Sequence, residues 1–254
     1  MRVDLNADVG ESVGPWPMGD DERLIALVTS VNVACGAHAG DPLTIDKTVR
    51  AAAAAAHGVA VGAHPGYPDL VGFGRRDLDT APDELEASLV YQIGAVAAFA
   101  RAAGTQLRHV KPHGALYNLA AREPSVAATI ARAVGRVSGE LVLVGLAGSA
   151  LLTAATDAGL ASAAEAFADR AYEADGTLRS RRRAGALLES PELAAAQALS
   201  IVRDGCVLSH DGQVVAVRAD TICIHGDTPG AAEFATAIRA ALVGAGVTIA
   251  ALGS

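Results

Sequence analysis

Residues 31–64 read VNVACGAHAGDPLTIDKTVRAAAAAAHGVAVGAH, and this stretch decides the fold class. A β-branched run, Val31–Cys35, is followed by the alanine-rich segment Pro42–His57 and by a second β-branched run, Val59–His64. Asp-Pro is typical of a helix start and His-Gly of a helix end. The stretch therefore predicts strand, helix and strand in succession, which is the building unit of a mostly parallel sheet.

The same alternation continues in both directions along the chain. The predicted strands are Val3–Asp8, Val31–Cys35, Val59–His64, Arg108–His113, Leu141–Leu146, Ala163–Asp169 and Thr221–Gly226. The predicted helices lie near Asp20–Thr29, Pro42–His57, Pro82–Ala103, Pro124–Val137, Ser149–Ala158, Pro191–Asp204 and Pro229–Gly244. The Asp211-Gly212 pair predicts a β-hairpin insertion near residues 206–217.

No linker rich in Pro, Ser or charge divides residues 1–254, so we expect a single domain. Seven strands alternating with helices favour an α/β fold of the (β/α) barrel type, similar to a TIM barrel. A doubly wound open sheet is the alternative, because hydrophobic periodicity does not report whether a sheet closes on itself.

Composition excludes several classes of protein. Of the 254 residues, 51% are hydrophobic and 19% are charged, which is typical of a folded domain rather than a disordered chain. A net charge of −8 and an aromatic content of 4% argue against nucleic acid or an anionic membrane as partner. The amino-terminal MRVDLNADVGE is too acidic for a signal peptide, and Cys35, Cys206 and Cys223 form no disulfide framework. A cytoplasmic enzyme with reduced thiols is expected.

Polar residues concentrate on one face of the predicted strands or directly after them. Because residues two apart on a strand share a face, the pattern places one set together: Asp4, Asn6, Asp8, Asn32, His38, His64, His109, Lys111, His113, Glu165, Asp169, His225 and Asp227. Many of them end a strand, where barrel enzymes hold their active sites. Buried hydrogen-bonded pairs that tie strands together are the alternative, above all for Asp4, Asn6 and His109.

Six polar segments carry a family resemblance. They are Asp4–Glu11 (DLNADVGE), Val31–Pro42 (VNVACGAHAGDP), Gly62–Arg76 (GAHPGYPDLVGFGRR), Val110–Asn118 (VKPHGALYN), Glu165–Tyr172 (EAFADRAY) and Ile224–Pro229 (IHGDTP). In this order and spacing they resemble the family of 5-oxoprolinase A subunits, also called LamB/YcsF. The chain departs from the family pattern at Ala37, where Phe is common, and at Ala184, where Pro is common; both changes bear on loop and pocket shape.

The resemblance implies a seven-stranded (β/α) barrel related to polysaccharide deacetylases. It also implies ATP-dependent opening of the lactam 5-oxo-L-proline to L-glutamate, with partner subunits B and C. ATP, with Mg²⁺, is then a co-substrate. Since the chain has no G-x-x-x-x-G-K-[ST] phosphate loop, the sequence leaves open which subunit binds the nucleotide. It also leaves open whether copies of the chain form a homo-oligomer.

Lactam opening requires acid–base groups and counter-charges for anions. The predicted catalytic residues are Asp8, Glu11, His38, His64, Lys111, His113, Glu165 and Asp169. The predicted substrate-binding residues are Asn6, Arg170, Arg181, His225 and Asp227. Glycines at Gly62, Gly66, Gly72 and Gly74 are expected to let backbone N–H groups approach an anion.

Three of these residues have more specific expectations. Clustered carboxylates raise one another's pKa, so one of the carboxylates around Asp8 is predicted to serve as a base near neutral pH, and loss of the Asp8 carboxylate is predicted to lower turnover. Lys111 points into the barrel and needs an anion, either a carboxylate of the chain or, as we predict, an anionic group of the ligand. His113 is predicted to donate a proton to the carbonyl or leaving oxygen of the lactam.

Two other functions stay open at this point. Asp8, His38, His64 and His113 could ligate zinc, which leads to a metal-dependent amidohydrolase or deacetylase on the same barrel. No two of these histidines have the short spacing of a typical zinc motif, so no metal is predicted. The other alternative is a non-catalytic subunit that presents substrate to a partner.

Overall fold

The computed structural model describes residues 1–181, 183–227 and 230–252 and shows a parallel barrel surrounded by helices. The strands are β1 (Arg2–Val9), β2 (Ser30–Ala34), β3 (Ala60–His64), β4 (Leu107–Val110), β5 (Val142–Leu146), β6 (Ser162–Phe167), β7 (Cys206–Leu208), β8 (Val214–Ala216), β9 (Thr221–Ile224) and β10 (Thr248–Ile249). The helices are α1 (Asp21–Ile25), α2 (Pro42–Ala54), α3 (Pro82–Ala102), α4 (Gly114–Arg122), α5 (Pro124–Val137), α6 (Ala150–Asp157), α7 (Pro191–Asp204) and α8 (Ala231–Gly244).

Seven strands of the described chain close into the barrel. Their order is β1, β2, β3, β4, β5, β6 and β9, and β9 pairs in turn with β1. These pairings are parallel, and β10 adds a short parallel pairing at the start of β1. The predicted seven-stranded barrel is confirmed, and the alternative of an open doubly wound sheet is wrong.

The helices begin and end where local chemistry requires it. At the start of α2, the carboxylate of Asp41 accepts from two backbone N–H groups and Pro42 occupies the first turn. The hydroxyl of Ser190 caps α7 in the same way, and Gly205, with φ +65°, ends that helix in the left-handed conformation. Pro229, where the last predicted helix starts, lies outside the described residues.

The strand predicted over Arg108–His113 ends earlier than expected but keeps its direction. β4 ends at Val110, yet the N–H groups of Lys111 and His113 still donate to the carbonyls of Ala63 and Pro65. The backbone is thus extended up to His113, and the predicted shared face of the alternate residues holds. The chain then turns at Gly114 into α4, a helix that the sequence pattern does not predict.

Hydrogen bonds between neighbouring strands fill the interior of the barrel. Asp4 on β1 accepts from the hydroxyls of Ser30 and Thr221, at 2.6 and 2.5 Å. Higher in the barrel, Nε2 of His109 lies 2.8 Å from the amide oxygen of Asn32. The deepest polar residues therefore tie strands together, as the alternative for Asp4 and His109 predicts.

A glycine makes room for this packing. A Cβ at Gly62 would lie 2.1 Å from the ring of His109, so only glycine fits at this point of β3. Outside the barrel, β7 and β8 form an antiparallel hairpin around Asp211 and Gly212. None of the helices in the described ranges has the length and apolar character that crossing a bilayer requires.

Candidate functional site

A pocket of about 890 Å³ opens at the carboxyl ends of the barrel strands, and we call it the barrel pocket. Its lining includes most of the predicted site residues: Asp8, Glu11, His64, Lys111, His113, Arg170, Arg181, His225 and Asp227. Asp8 and His64 lie at the ends of β1 and β3, and His225 directly follows β9. This is the end of the barrel at which α/β enzymes bind their substrates.

The floor of the barrel pocket is an ion-pair network around Lys111. Its ammonium lies 2.9 Å from Oδ1 of Asp8 and 2.9 Å from Oε1 of Glu165. The hydroxyl of Tyr117 donates to Oε2 of Glu165 at 2.8 Å. Lys111 was expected to meet an anion of the ligand, but the protein itself supplies two carboxylates, because β1 and β6 bring them inward beside it.

The charges on the floor set the protonation states of its carboxylates. Burial alone would raise the pKa of Asp8, but the neighbouring His64 and Lys111 lower it well below its usual value. Asp8 is therefore not the carboxyl group of the cluster whose pKa is raised. Burial, together with the charge of Asp8, instead raises the pKa of Glu11 well above its usual value. Glu11 is the carboxyl group of this site that resists ionisation.

One wall of the barrel pocket holds Glu11, His38, His64 and His113, which we call the histidine cluster. The rings of His38 and His113 stack with centroids 3.7 Å apart, and His64 stands edge-on to both. Oε1 of Glu11 lies 3.8 Å from Nε2 of His38 and 3.9 Å from Nδ1 of His113. Burial lowers the pKa of His38 and of His113 well below that of free histidine, so both imidazoles are neutral.

His38 reaches the cluster by a route that strand periodicity does not describe. β2 ends at Ala34, and Gly36, with φ +87°, turns the chain before His38. Phe73 supports the cluster from the opposite side, where its carbonyl oxygen lies 2.8 Å from Nε2 of His113. Phe73 has φ +54°, a conformation that costs about 1–3 kcal/mol for a non-glycine residue and is commonest at functional sites.

The glycines around the cluster are needed because they lack a side chain, and not because their N–H groups bind a ligand. The N–H of Gly66 donates to Gln92 and that of Gly74 to the carbonyl of Asp69, both at 2.9 Å. A Cβ at Gly74 would lie 2.8 Å from His38 and from His113. The expectation that these N–H groups meet an anion is wrong at Gly66 and Gly74, whose lack of a side chain admits the imidazole rings. The N–H of Gly72 is likewise bound to a side chain, that of Asp69.

The barrel pocket is also lined by arginines, among them Arg75, Arg170 and Arg181. Arg75 donates to Asp227 at 2.6 Å, and Arg181 lies 3.6 Å from the same carboxylate. Arg170 donates to the carbonyl of Arg179 at 2.6 Å, and burial lowers the pKa of its guanidinium to about 10, so it stays charged at neutral pH. We call Arg75, Arg170 and Arg181 the arginine wall. Such a group of cations stabilises an anion bound between them.

Asp169 and His225 form a pair beside the arginine wall. Nδ1 of His225 lies 2.9 Å from Oδ2 of Asp169, and the imidazole stacks on the ring of Phe167. Because Asp169 holds Nδ1, the other ring nitrogen, Nε2, is the one available to a ligand. Burial opposes the charge of Asp169, but His225 lowers its pKa below the usual value. A carboxylate that orients a histidine in this way is typical of acid–base catalysis.

The structure brings the predicted site residues to one end of the barrel, at different depths. His38, Glu165 and Asp169 lie directly behind residues of the pocket wall, and each is at most 1% exposed. Asn6 lies deeper, where its amide donates to Glu165 and Thr221 and accepts from Asn32.

Arg75 and Tyr117 are not among the predicted site residues, although both line the barrel pocket. Each lies inside one of the quoted segments, so segment membership is the signal that could have found them. His113 also differs from its expected role, because both of its ring nitrogens already have partners, His64 and Phe73.

Comparison with known proteins identifies one family. The sequence model of the LamB/YcsF family matches residues 3–254. A protein of Chloroflexus aggregans, named as the A subunit of 5-oxoprolinase, is 58% identical over 249 residues, 98% of each chain. One of the same name from Syntrophobacter fumaroxidans is 52% identical over the full length of both chains. The crystal structure of a lactam utilization protein from Thermus thermophilus superposes with a TM-score of 0.93 at 51% identity, over 99% of this chain and 100% of that one.

Proposed function

This chain belongs to the LamB/YcsF family, and on that premise we propose that it is the A subunit of an ATP-dependent 5-oxoprolinase. In the proposed reaction, the terminal phosphoryl group of ATP passes to the carbonyl oxygen of 5-oxo-L-proline, which makes the carbonyl carbon electrophilic. Water adds to that carbon, and the ring C–N bond breaks as the nitrogen takes a proton. A second water releases phosphate, and the products are L-glutamate, ADP and phosphate.

The arginine wall is the observation that carries the proposal. Arg75, Arg170 and Arg181 share the carboxylates of Asp227 and Asp169, so positive charge remains for a ligand. Both the carboxylate of 5-oxo-L-proline and the phosphoryl group are anions. Guanidinium groups bind either of them in a bidentate manner. The arginine wall thus holds the substrate with its ring toward the floor of the barrel pocket.

His225 is the group that we assign to proton transfer. Asp169 fixes the imidazole through Nδ1, and Phe167 supports its face. Nε2 is then free to protonate the ring nitrogen as the C–N bond breaks. The ion pair of Asp8 and Lys111 fixes the floor of the barrel pocket beneath the ring of the substrate.

ATP, with Mg²⁺, and subunits B and C complete the proposed enzyme. The barrel pocket, at about 890 Å³, lies near the top of the range of about 300–1,000 Å³ for ligand pockets. It therefore has more room than the small lactam needs, and a phosphoryl donor held by a partner subunit would reach the same site. A reaction that consumes ATP belongs in the cytoplasm, where Cys35, Cys206 and Cys223 also stay reduced.

Reconstitution tests the proposal. The chain is assayed alone and then with candidate subunits B and C, in the presence of 5-oxo-L-proline and ATP, and L-glutamate and ADP are both measured. We expect equal amounts of the two products, formed only by the complete set. Lactam hydrolysis without ATP would overturn the proposal and favour a metal-dependent amidohydrolase.

A pair of variants separates catalysis from mere presentation of substrate. His225→Gln removes the proposed proton donor, and His210→Gln changes an exposed histidine of the β7–β8 hairpin. We expect turnover of the complex to fall at least ~100-fold in the first, the usual contribution of a general acid, and to stay unchanged in the second. Full activity of His225→Gln would assign the chemistry to a partner subunit.

A further inference from the structure

The histidine cluster contains two nitrogens whose protons are fixed by backbone carbonyls. Nδ1 of His64 lies 2.7 Å from the carbonyl oxygen of Lys111, and Nε2 of His113 lies 2.8 Å from that of Phe73. A carbonyl oxygen only accepts hydrogen bonds, so each of these nitrogens carries the ring proton. The opposite nitrogens, Nε2 of His64 and Nδ1 of His113, are then left with lone pairs.

These two lone pairs face each other. Nε2 of His64 and Nδ1 of His113 lie 3.0 Å apart, which is hydrogen-bond distance between two acceptors. Such an arrangement is stable only if a positive charge lies between or beside the two nitrogens. A shared proton and a metal cation are the two ways to provide it. The carboxylate of Asp8, whose Oδ2 lies 3.4 Å from Nε2 of His64, attracts a positive charge of either kind.

His38 gives a second, independent indication. Its side chain is fully buried, and within the part of the chain that the structure describes neither ring nitrogen has a hydrogen-bond partner. A buried polar group without a partner destabilises the folded protein. Nε2 of His38 lies on the same side as the carboxylate of Glu11, 3.8 Å from Oε1. A cation at this point would satisfy it.

We propose that the histidine cluster binds one divalent transition metal, best matched by Zn²⁺, through Glu11, His38, His64 and His113. One ligand atom from each of the four lies within 4.8 Å of every other. With metal–ligand bonds of about 2.0–2.1 Å, the ligand atoms of a tetrahedral site lie about 3.3 Å apart, so a modest contraction completes it. Three imidazoles and one carboxylate are ligands that zinc accepts readily.

The contacts behind the rings fit the same interpretation. Histidines that ligate a metal usually donate their other ring N–H to a carbonyl or carboxylate, which fixes the ring orientation. The carbonyls of Lys111 and Phe73 have this role for His64 and His113. A metal here would face the barrel pocket, where it supplies a Lewis acid to a bound water or carbonyl oxygen. The site does not depend on the proposed lactam chemistry.

A second group of potential ligands is already occupied by a cation of the protein. Asp8, Cys223 and His225 also lie within metal-binding distance of one another. The ammonium of Lys111, however, lies 2.9 Å from both Asp8 and the sulfur of Cys223. We therefore expect one metal ion for each chain rather than two.

Metal binding to the intact chain tests the proposal without any assay of activity. The purified chain is stripped with a chelator and titrated with Zn²⁺, and the bound metal is measured by elemental analysis after gel filtration. We expect one Zn²⁺ per chain, a thermal midpoint that rises with Zn²⁺ concentration, and a visible absorption band when Co²⁺ is used instead. His38→Leu replaces the buried imidazole with an apolar side chain that cannot bind a metal. It should weaken Zn²⁺ binding more than about 100-fold, which exceeds the usual effect of changing a residue that only orients a ligand.

Three further variants, His210→Gln, Glu11→Gln and His64→Gln, make the outcome unambiguous. His210→Gln is the control for zinc held by an exposed histidine, and it should bind Zn²⁺ as the unaltered chain does. Glu11→Gln keeps the size of the side chain and reports on the cluster if His38→Leu does not fold. No uptake of Zn²⁺ by the stripped chain would overturn the proposal and assign a shared proton to His64 and His113. Unchanged affinity in Glu11→Gln together with either His38→Leu or His64→Gln would also overturn it.

Discussion

Lys111 and Asp8 lie 2.9 Å apart at the floor of the barrel pocket, where both side chains are almost completely buried. The pair joins the residue that follows β4 to the end of β1, across the barrel. Glu165 lies 2.9 Å from the same ammonium, so carboxylates from two strands share one cation. The charge of Lys111 is thus part of the fold before any ligand arrives.

Removal of this cation should destabilise the protein. In Lys111→Met the aliphatic stem remains, but Asp8 and Glu165 lose their shared cation in a buried place. We expect the free energy of unfolding to fall by about 3–5 kcal/mol, the usual cost of breaking a buried ion pair from one side. Urea denaturation measures it. Lys47→Met, the same change at an exposed position of α2, should have almost no effect; equal stability of the two variants would contradict the role given to Lys111.

The contact of Gly62 with His109 leads to a steric prediction. A Cβ at Gly62 would overlap the imidazole and push it away from Asn32. We expect Gly62→Ala to lower the free energy of unfolding by about 3 kcal/mol, the upper end of the usual cost of overpacking. Gly94→Ala, in the middle of α3 with open space around the added methyl group, should instead raise it by up to about 1 kcal/mol. Thermal unfolding of both variants checks the opposite signs.

Asp169 should act through His225 rather than on the substrate itself. In Asp169→Asn the imidazole loses the partner that fixes Nδ1, so Nε2 no longer has a defined protonation state. We expect kcat of the reconstituted complex to fall at least ~100-fold while KM changes little. The pH profile of kcat should also shift, which a purely structural role would not produce. Asp157→Asn on the exposed end of α6 is the matched control.

Asp41 gives the stability of the protein a specific dependence on pH. Hydrogen bonds from Gly14 and Thr44, and from Leu43, lower the pKa of its carboxyl to about 2. The unfolded chain has a value of about 3.9, so it binds the proton more readily than the folded protein does. The stabilisation by Asp41 is therefore complete above about pH 5 and is lost as the pH falls through 4 toward 2.

Asp41→Asn isolates this contribution, because the amide cannot titrate. The difference in thermal midpoint between the unaltered chain and Asp41→Asn should be largest near pH 7 and should shrink between pH 4 and pH 2. Asp46→Asn, which removes the same charge from the helix that Asp41 caps, is the control. A difference that stays constant over this pH range would show that folding does not lower the pKa of Asp41.

The sequence predicted the barrel well because its strands and helices differ sharply in composition. β-branched runs such as Val31–Cys35 cannot be mistaken for the alanine-rich segment that follows. Alternation along β1 also placed Asp4 and Asp8 correctly on the inner face, since a strand has only two faces. These predictions depend only on the pattern of consecutive residues within one segment, which can be read directly from the sequence.

Relations between distant segments could not be predicted in this way. The partners of Lys111 come from β1 and β6, and His38 reaches His64 through a loop that no periodicity describes. The role of Gly62 likewise depends on a side chain of the next strand, His109. Which carboxyl group of the cluster has the raised pKa could not be predicted for the same reason, because the charges nearest to Asp8 lie far away in the sequence.

Because β1 pairs with β9, the barrel can close only late in the synthesis of the chain. Asn6 lies opposite Cys223 in this pairing, so the wall of the barrel joins residues from the two ends of the chain. Until β9 has left the ribosome, Asp4 and Asn6 have no Thr221 to bond, and the edge of β1 stays open. The nascent chain must therefore carry one open edge of β1, with polar side chains that lack their partner, through most of its translation. During this period open strand edges promote aggregation, and chaperones can act.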